Sequence, residues 1–265
     1  MQKLNTIMTG VLKKIVFYLI LLLIWELVYR IMVDGLHIWR SYSFPSPVSV
    51  AQKFVEILTD HTLGIAVIAS MKRIVVGYTL SAVIGLILGL IIAKFNYLGE
   101  QLGPLILGLQ TLPSICWLPF AILWFGLGES AILFVITIGS TFAIAIAVDH
   151  GIKHVNPLTI RAAKTMGARG ITLYREVIFP ASLPHLVSGL KQGWSFAWRA
   201  LMAGEMLSAT QGLGQVLMLG RDLADISQVM AVMLTIIVLG LFVDSVIFGK
   251  IEKNLRSRWG LSEER

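Results

Sequence analysis

Cysteine occurs once in the 265 residues, so Cys116 forms no internal disulfide. It has no companion thiol or histidine at metal-ligand spacing, and the five histidines, His37, His61, His150, His154 and His185, form no HExxH or paired-ligand pattern. No metal site is predicted. The chain also lacks a GxxxxGK(S/T) phosphate loop, a GxGxxG turn after a strand and a GxSxG elbow. If ATP drives it, another chain must hydrolyse that ATP. Nor is there a cluster of nucleophile, metal ligand or paired acids that a membrane-embedded enzyme would need. The internal repeat of many secondary transporters is missing as well. Charge is scarce, at 14% of residues.

Apolar side chains fill that space. They make up 56% of the chain before its 24 glycines are counted, and mean hydropathy is +0.80, which predicts an all-α polytopic membrane protein. A hydrocarbon layer of about 30 Å needs roughly 20 apolar helical residues. Six runs of that kind are predicted, at 15–33, 74–93, 102–125, 131–148, 186–207 and 229–248, in one transmembrane domain covering 1–265. The second and fourth carry no charge. The third contains Pro104, Pro113 and Pro119 and the fifth contains Lys191, Arg199 and Glu205, so both belong inside a bundle or along a polar path. A plain kinked helix is the alternative for the third. The first run follows Lys13 and Lys14 but is too long for a cleaved signal and has no small-residue cleavage site, so it is read as retained. Its Glu26 and Arg30 stand four apart and neutralise each other.

Lysine and arginine bias sets the expected orientation. Fourteen basic residues fall on one side (Lys3, Lys13, Lys14, Lys94, Lys153, Arg161, Lys164, Arg169, Arg175, Lys250, Lys253, Arg256, Arg258 and Arg265) against five on the other (Arg40, Lys53, Lys72, Arg73 and Arg221). Both termini are therefore expected in the cytoplasm of a cell with a bacterial-type plasma membrane. The net charge of +7 needs no nucleic acid to explain it.

Two longer segments lie on the outer side. In the first, Ser46 can cap and Pro47 can open a helix with Val50, Phe54, Val55 and Leu58 along one side. In the second, Gly212 and Gly214 allow a tight turn before an amphipathic stretch at 215–223. Either can receive a soluble partner or simply cover the bundle. On the cytoplasmic side, a basic island inside the 149–185 segment reads RAAKTMGARGITLYREVIFPASLP from Arg161 to Pro184. Pro157 can open a short helix through Ala162, Ala163 and Met166, Gly167 can end it, and a second helix at 171–178 should stop at Pro180. Such a surface suits a groove on another protein. Attraction to anionic lipid head groups accounts for the charges but not for the alanine pair, glycine and prolines.

The order Ala162, Ala163, three residues, Gly167, nine residues, Val177, one residue, Phe179, Pro180 resembles the EAA loop of binding-protein-dependent ABC importer permeases. That pattern is EAA, three residues, G, nine residues, I, one residue, LP. Arg161 stands where it has Glu, reversing the charge. The stretches FPSPVSVAQKF from Phe44, LPSICWLPFAILWFGLGES from Leu112, FPASLPHLVSGLKQGW from Phe179 and AGEMLSATQGLG from Ala203 are similar to the nitrate, sulfonate and taurine branch. The resemblance implies a methionine-importer-like permease fold, acting as a homodimer with two ABC ATPase subunits and an extracytoplasmic substrate-binding protein. It implies no cofactor of the chain's own, ATP being bound by the partner. It also implies that Arg161, Ala162, Ala163, Gly167, Val177, Phe179 and Pro180 form the ATPase-coupling loop, with Pro180 fixing the exit into the fifth span. The cargo expected is an aliphatic sulfonate or taurine, with nitrate, bicarbonate or a thiamine-precursor pyrimidine as alternatives.

A solute path is expected where irregular helices face each other. Trp194 and Trp198 are four apart, with Arg199 beside them and Glu205 nearer the outer surface. An unpaired arginine at that depth costs roughly 2.5 kcal/mol or more, so Arg199 needs a partner or a wet cavity. It can attract an anion, or pair with Glu205 across a dimer, since six residues place the two about 120° apart on one helix. Thr111, Ser114 and Trp117 are expected along the same path. Gly85 and Gly89 are read as close-packing positions.

Overall fold

The computed structural model describes residues 2–40, 42–208 and 210–258. Arg265, among the charges expected in the cytoplasm, and Ala209, within the Ala203–Gly214 stretch, lie outside these. Among the described residues twelve α-helices follow one another: α1 Gln2–Tyr29, α2 Pro47–Thr59, α3 Thr62–Lys94, α4 Asn96–Thr111, α5 Leu118–Phe125, α6 Glu129–Lys153, α7 Pro157–Thr165, α8 Gly170–Leu173, α9 Phe179–Leu207, α10 Leu213–Asp222, α11 Ile226–Val243 and α12 Gly249–Arg258. Wider π-helical turns at Arg30–Gly35, Tyr174–Ile178 and Asp244–Phe248 continue α1, join α8 to α9 and join α11 to α12.

Four helices among the described residues are long and apolar enough to cross a membrane, at Leu12–Gly35, Thr62–Lys94, Glu129–Lys153 and Ile226–Leu255. The third expected span is not one helix. It consists of α4 and a second piece, Ser114–Phe125, bent by 100°, and the pair together makes up to five spans. The cause is Pro113, which drives Leu112 to an extended φ −68°, ψ 125° and ends α4 there. The fifth expected span is the 29-residue α9, long enough to cross, but His185, Lys191, Arg199 and Glu205 together with its prolines, serines and glycines leave it less apolar than the other spans.

The chain divides into two compact units, Met1–Ile65 with Val216–Thr235 and Ala66–Gln215 with Ile236–Arg265. In the first unit the side chains of Leu12 to Ile24 are all exposed, as suits a lipid-facing helix. The Glu26–Arg30 pair forms at 2.7 Å. Trp25 Nε1 donates to Pro45 O at 3.1 Å, and Ser46 caps α2 by accepting from the Ser49 N–H, with Pro47 in the first turn. Of the expected apolar side of α2 only Val50 is buried; Ile57, seven residues on, is its companion, and Val55 and Leu58 stay exposed. Lys53 Nζ reaches Asp225 Oδ2 at 3.1 Å and Ser227 lies 3.3 Å from Ser49, so the two segments expected on the outer side meet within this unit. The Lys53 ammonium is held above its ordinary pKa, first by its hydrogen bond to Glu56 and then, against the cost of burial, by Asp225.

In the second unit α6 is the centre. Gly77, Gly85 and Gly89 of α3 face Ile136, Ile144 and Val148, while Gly193 and Gly204 of α9 face Ile144 and Ile132. A Cβ on Gly89 would come to 2.5 Å of Val148 Cβ, so backbone approach here depends on glycine. Hydroxyls cross the same seam, with Ser140 Oγ donating to Ser81 Oγ at 2.6 Å. Gly89→Val is expected to lower unfolding stability in detergent by about 1–3 kcal/mol through overpacking. Gly103→Ala, at a site with open space, should be neutral, and equal behaviour of the two variants would contradict the seam.

Candidate functional site

Asn156 opens the loop after α6 by accepting the Leu158 N–H at 2.9 Å, with Pro157 in the first turn of α7. The helix ends at Gly167, φ 92°, where Ala168 N–H donates to Ala163 O and Gly167 N–H to Lys164 O. These two bonds are the Schellman closure, which needs a left-handed residue and hence glycine. Space around Gly167 is open, so within this chain its backbone angle, not close packing, demands glycine. Pro180 does not stop the following helix, contrary to expectation. The π-helical turn Tyr174–Ile178 widens the path and Phe179 N–H bonds to Tyr174 O, so that a residue without an N–H enters the first turn of α9.

The loop has two faces. Ile160, Ala163, Ala168 and Val177 pack inward on a cluster that includes Ile152, Val155, Leu173, Ile178 and Leu186. Outward, Met166 is 87% and Ile171 84% exposed, and Arg161, Ala162, Lys164, Arg169 and Arg175 are exposed around them. Phe179 is also exposed and Pro180 half-buried.

Among the expected path residues, Trp194, Trp198 and Glu205 require correction. Trp194 packs edge-on against the half-buried Tyr78 at 5.1 Å and against Trp198 at 6.1 Å, and both tryptophans are buried within the second unit. Positions 194, 198, 201 and 205 form one stripe of α9 facing inward, and the adjacent residue, Arg199, is rotated about 100° away from it. Arg199 is exposed, its guanidinium 4.3 Å from the Phe196 ring and its Nε donating to Ser195 O at 3.2 Å. Thr111 is exposed and bonds back to Gly108 O; Ser114 is half-buried near Gly139; Trp117 is half-buried, tilted against Phe120 and Phe142. Lys191 pairs with Asp244 at 3.0 Å, tying α9 to the turn before α12.

Glu205 is 0% exposed and meets Arg73 rather than Arg199. Arg73, expected on the outer surface, is itself buried. Its Nη1 donates to Glu205 Oε1 at 2.8 Å and to Gln211 O at 2.6 Å, and its Nη2 to Glu129 Oε1 at 3.1 Å. Ser70 Oγ stands 2.8 Å from both Glu205 oxygens and accepts the Leu213 N–H at 2.9 Å; Gly214 N–H donates to Glu205 Oε2 at 3.0 Å. Ser70, Arg73 and Glu129 escaped the sequence reading because their partners lie 56 to 143 positions away. The available signal was a lone glutamate in α9 followed by Gly212 and Gly214.

The architecture is that of an all-helical membrane protein. It matches the structure titled as inward facing conformations of the MetNI methionine ABC transporter with a TM-score of 0.63 at 20% identity, over 74% of this chain and 97% of that one. The family profile described as binding-protein-dependent transport system inner membrane component matches residues 83–256, and the chain belongs to that family. A putative ABC transporter permease protein of Methanocaldococcus jannaschii is 35% identical over 192 residues, 72% of each chain. The nitrate import permease protein NrtB of Synechocystis sp. is 27% identical, covering 86% of this chain and 83% of its own. A putative aliphatic sulfonates transport permease protein, SsuC, of Bacillus subtilis is also 27% identical, covering 90% and 84%.

Removing one member of a buried ion pair strands the other, whereas an apolar pair of similar volume is tolerated. Arg73→Ala is therefore expected to cost about 3–5 kcal/mol of unfolding stability, and Arg73→Met with Glu205→Met together to recover most of it. Additive losses in that cycle would contradict the pairing.

Proposed function

We propose that this chain is the transmembrane permease subunit of an ATP-driven ABC importer. It works as a homodimer with two cytoplasmic ATPase subunits and an extracytoplasmic binding protein, and carries a small anionic solute, an aliphatic sulfonate or taurine. The observation that carries this reading is the loop from Asn156 to Phe179, whose inner face is sunk in the core and whose outer face is bare, apolar at Met166 and Ile171 and basic around them. A bare face of that composition suits a groove on a soluble partner. Both termini and this loop lie in the cytoplasm, in keeping with the basic bias of the cytoplasmic segments.

Arg161, Ala162, Lys164 and Met166 meet the ATPase, while Ala163 and Val177 hold the loop to its own subunit. ATP-driven closure of the ATPase pair moves the loop, and the continuous path into α9, about 43 Å long at 1.5 Å per residue, carries the movement across the bilayer. Between the two copies, Arg199 and Thr111, both exposed, line the solute path with Ser114 and Trp117 at its edge. A guanidinium over an aromatic ring attracts a sulfonate or nitrate oxygen equally well. The nitrate permease among the relatives supports nitrate as the second reading.

The test is to isolate the chain with its co-purifying ATPase, reconstitute both with the binding protein, and measure ATP hydrolysis with taurine, alkanesulfonates, nitrate, bicarbonate and a pyrimidine. Stimulation by one class names the cargo; no co-purifying ATPase and no stimulation would sink the importer reading. Gly167→Val should leave hydrolysis running while uptake per ATP falls, because a β-branched residue resists φ 92°. Uptake still coupled as in the wild type would contradict the role of the loop.

A further inference from the structure

A groove opens beside the turn that leads into α9. Its floor is Ile152 of α6 and Ile178, both buried, and its walls are Leu90 of α3 with Ile171, Tyr174 and Phe179, all exposed. Its volume is about 230 Å³, room for a stretch of one acyl chain, and the surface inside is wholly apolar. Arg175 therefore lines it with its stem and holds the guanidinium at the rim, its side chain 83% exposed. The one ionic neighbour of Arg175 among the described residues, Glu176, is 3.6 Å away, too far for a hydrogen bond. Leu90 belongs to the last turn of the charge-free run 74–93, and Lys94 follows one turn on, which sets the groove where hydrocarbon gives way to lipid head groups. On its α3 side the groove continues a stripe of exposed aliphatic side chains, Leu80, Val83, Ile84, Ile87 and Leu90, on the face of the helix away from Gly77, Gly85 and Gly89. Helices that pack together in lipid do so through small or polar residues. This stripe has neither, so it faces acyl chains, and the groove is a recess in that lipid-facing surface with a cation at its mouth.

We infer that the groove is a binding site for an anionic phospholipid, one acyl chain lying against Ile152 and Ile178 and the phosphate of the head group meeting the Arg175 guanidinium. A guanidinium matches a phosphate through paired N–H bonds. Lipid is the source that brings a phosphate and a hydrocarbon chain to this depth together. A zwitterionic head group carries a cation of its own, which Arg175 repels, whereas an uncharged glycerol head group leaves the phosphate free to pair. The bound lipid braces the turn Tyr174–Ile178 that joins the loop to α9. The inference requires no ATPase and leaves Met166, on the other side of Gly167, to that partner.

The full chain, with whatever subunits co-purify, is placed in nanodiscs of equal phosphatidylglycerol and phosphatidylcholine carrying a trace of one or the other lipid with a diazirine in its acyl chain. After illumination the labelled residues are mapped by mass spectrometry. Phosphatidylglycerol should label Leu90, Tyr174 and Phe179 about fivefold more than phosphatidylcholine does, the factor that one basic residue contributes at an anionic surface. At Ile84, on the same stripe but outside the groove, the two should label alike. Arg175→Gln should abolish the preference in the groove, while Arg169→Gln, an exposed loop cation that does not line it, should change it by less than about twofold. Leu90→Trp, which fills the groove at an exposed position, should lower labelling of Tyr174 and Phe179 by both lipids. Equal labelling of the groove by the two lipids would overturn the inference, as would an equal loss in Arg169→Gln and Arg175→Gln, which marks general attraction to the surface. Label at Ile84 with none in the groove would also overturn it, since a second copy or another subunit then covers the site.

Discussion

A carboxylate and a guanidinium enclosed among apolar helices have no water to turn to, and either one alone is prohibitive there. Glu205 and Arg73 therefore dictate a register: α3 must meet α9 where 73 faces 205, and the loop after α9 must fold back so that the Gly214 N–H reaches the carboxylate. Glycine at 212 and 214 is then a steric necessity. Further along the same helices the seam with α6 continues this register through Gly77, Gly85, Gly89, Gly193 and Gly204. In lipid there is little hydrophobic drive between helices, so close backbone approach and hydroxyl bonds such as Ser140 to Ser81 do the holding.

The opposite end of α9 is built on a different physics. Between α6 and α9 the chain leaves apolar surroundings, and its local chemistry is that of caps and turns: Asn156, Pro157, Gly167 and Gly170 each answer a specific backbone need. The inner apolar residues of the loop then anchor it to Ile152, Val155 and Leu186. A rigid connection follows, because the π-helical turn lets Pro180 enter α9 without a break. One helix thus joins a clamped loop at one end to a module with a bare apolar and basic face at the other.

Features governed by neighbours in sequence were legible. The helix ending at Gly167, the Ser46 cap, the Glu26–Arg30 pair, the close-packing role of Gly85 and Gly89 and the family itself could all be read from residues a few positions apart. Pro113 was recognised as disruptive, but the 100° bend depends on what Leu112 does next to it. Pro180 was misread because a proline that ends one helix and a proline that begins another look alike in sequence; the widened turn before it decides. Trp194 and Trp198 invited a path reading because they sit beside Arg199, yet a helix turns about 100° per residue, and adjacency in sequence is separation in space. Arg73 was beyond reach, since nothing local names a carboxylate 132 residues away.

The central claim is that the Gly167 turn meets an ATPase on the cytoplasmic side, and cross-linking tests it most directly. With Cys116→Ser removing the native thiol, Met166→Cys, at an 87% exposed position, would be treated with a short bifunctional cross-linker in native membranes, alongside Leu223→Cys, at a 67% exposed position in a segment expected on the outer side. The account predicts an adduct between the Met166→Cys chain and a nucleotide-binding subunit, and none from Leu223→Cys. No ATPase adduct at 166, or an equal one at 223, would contradict it.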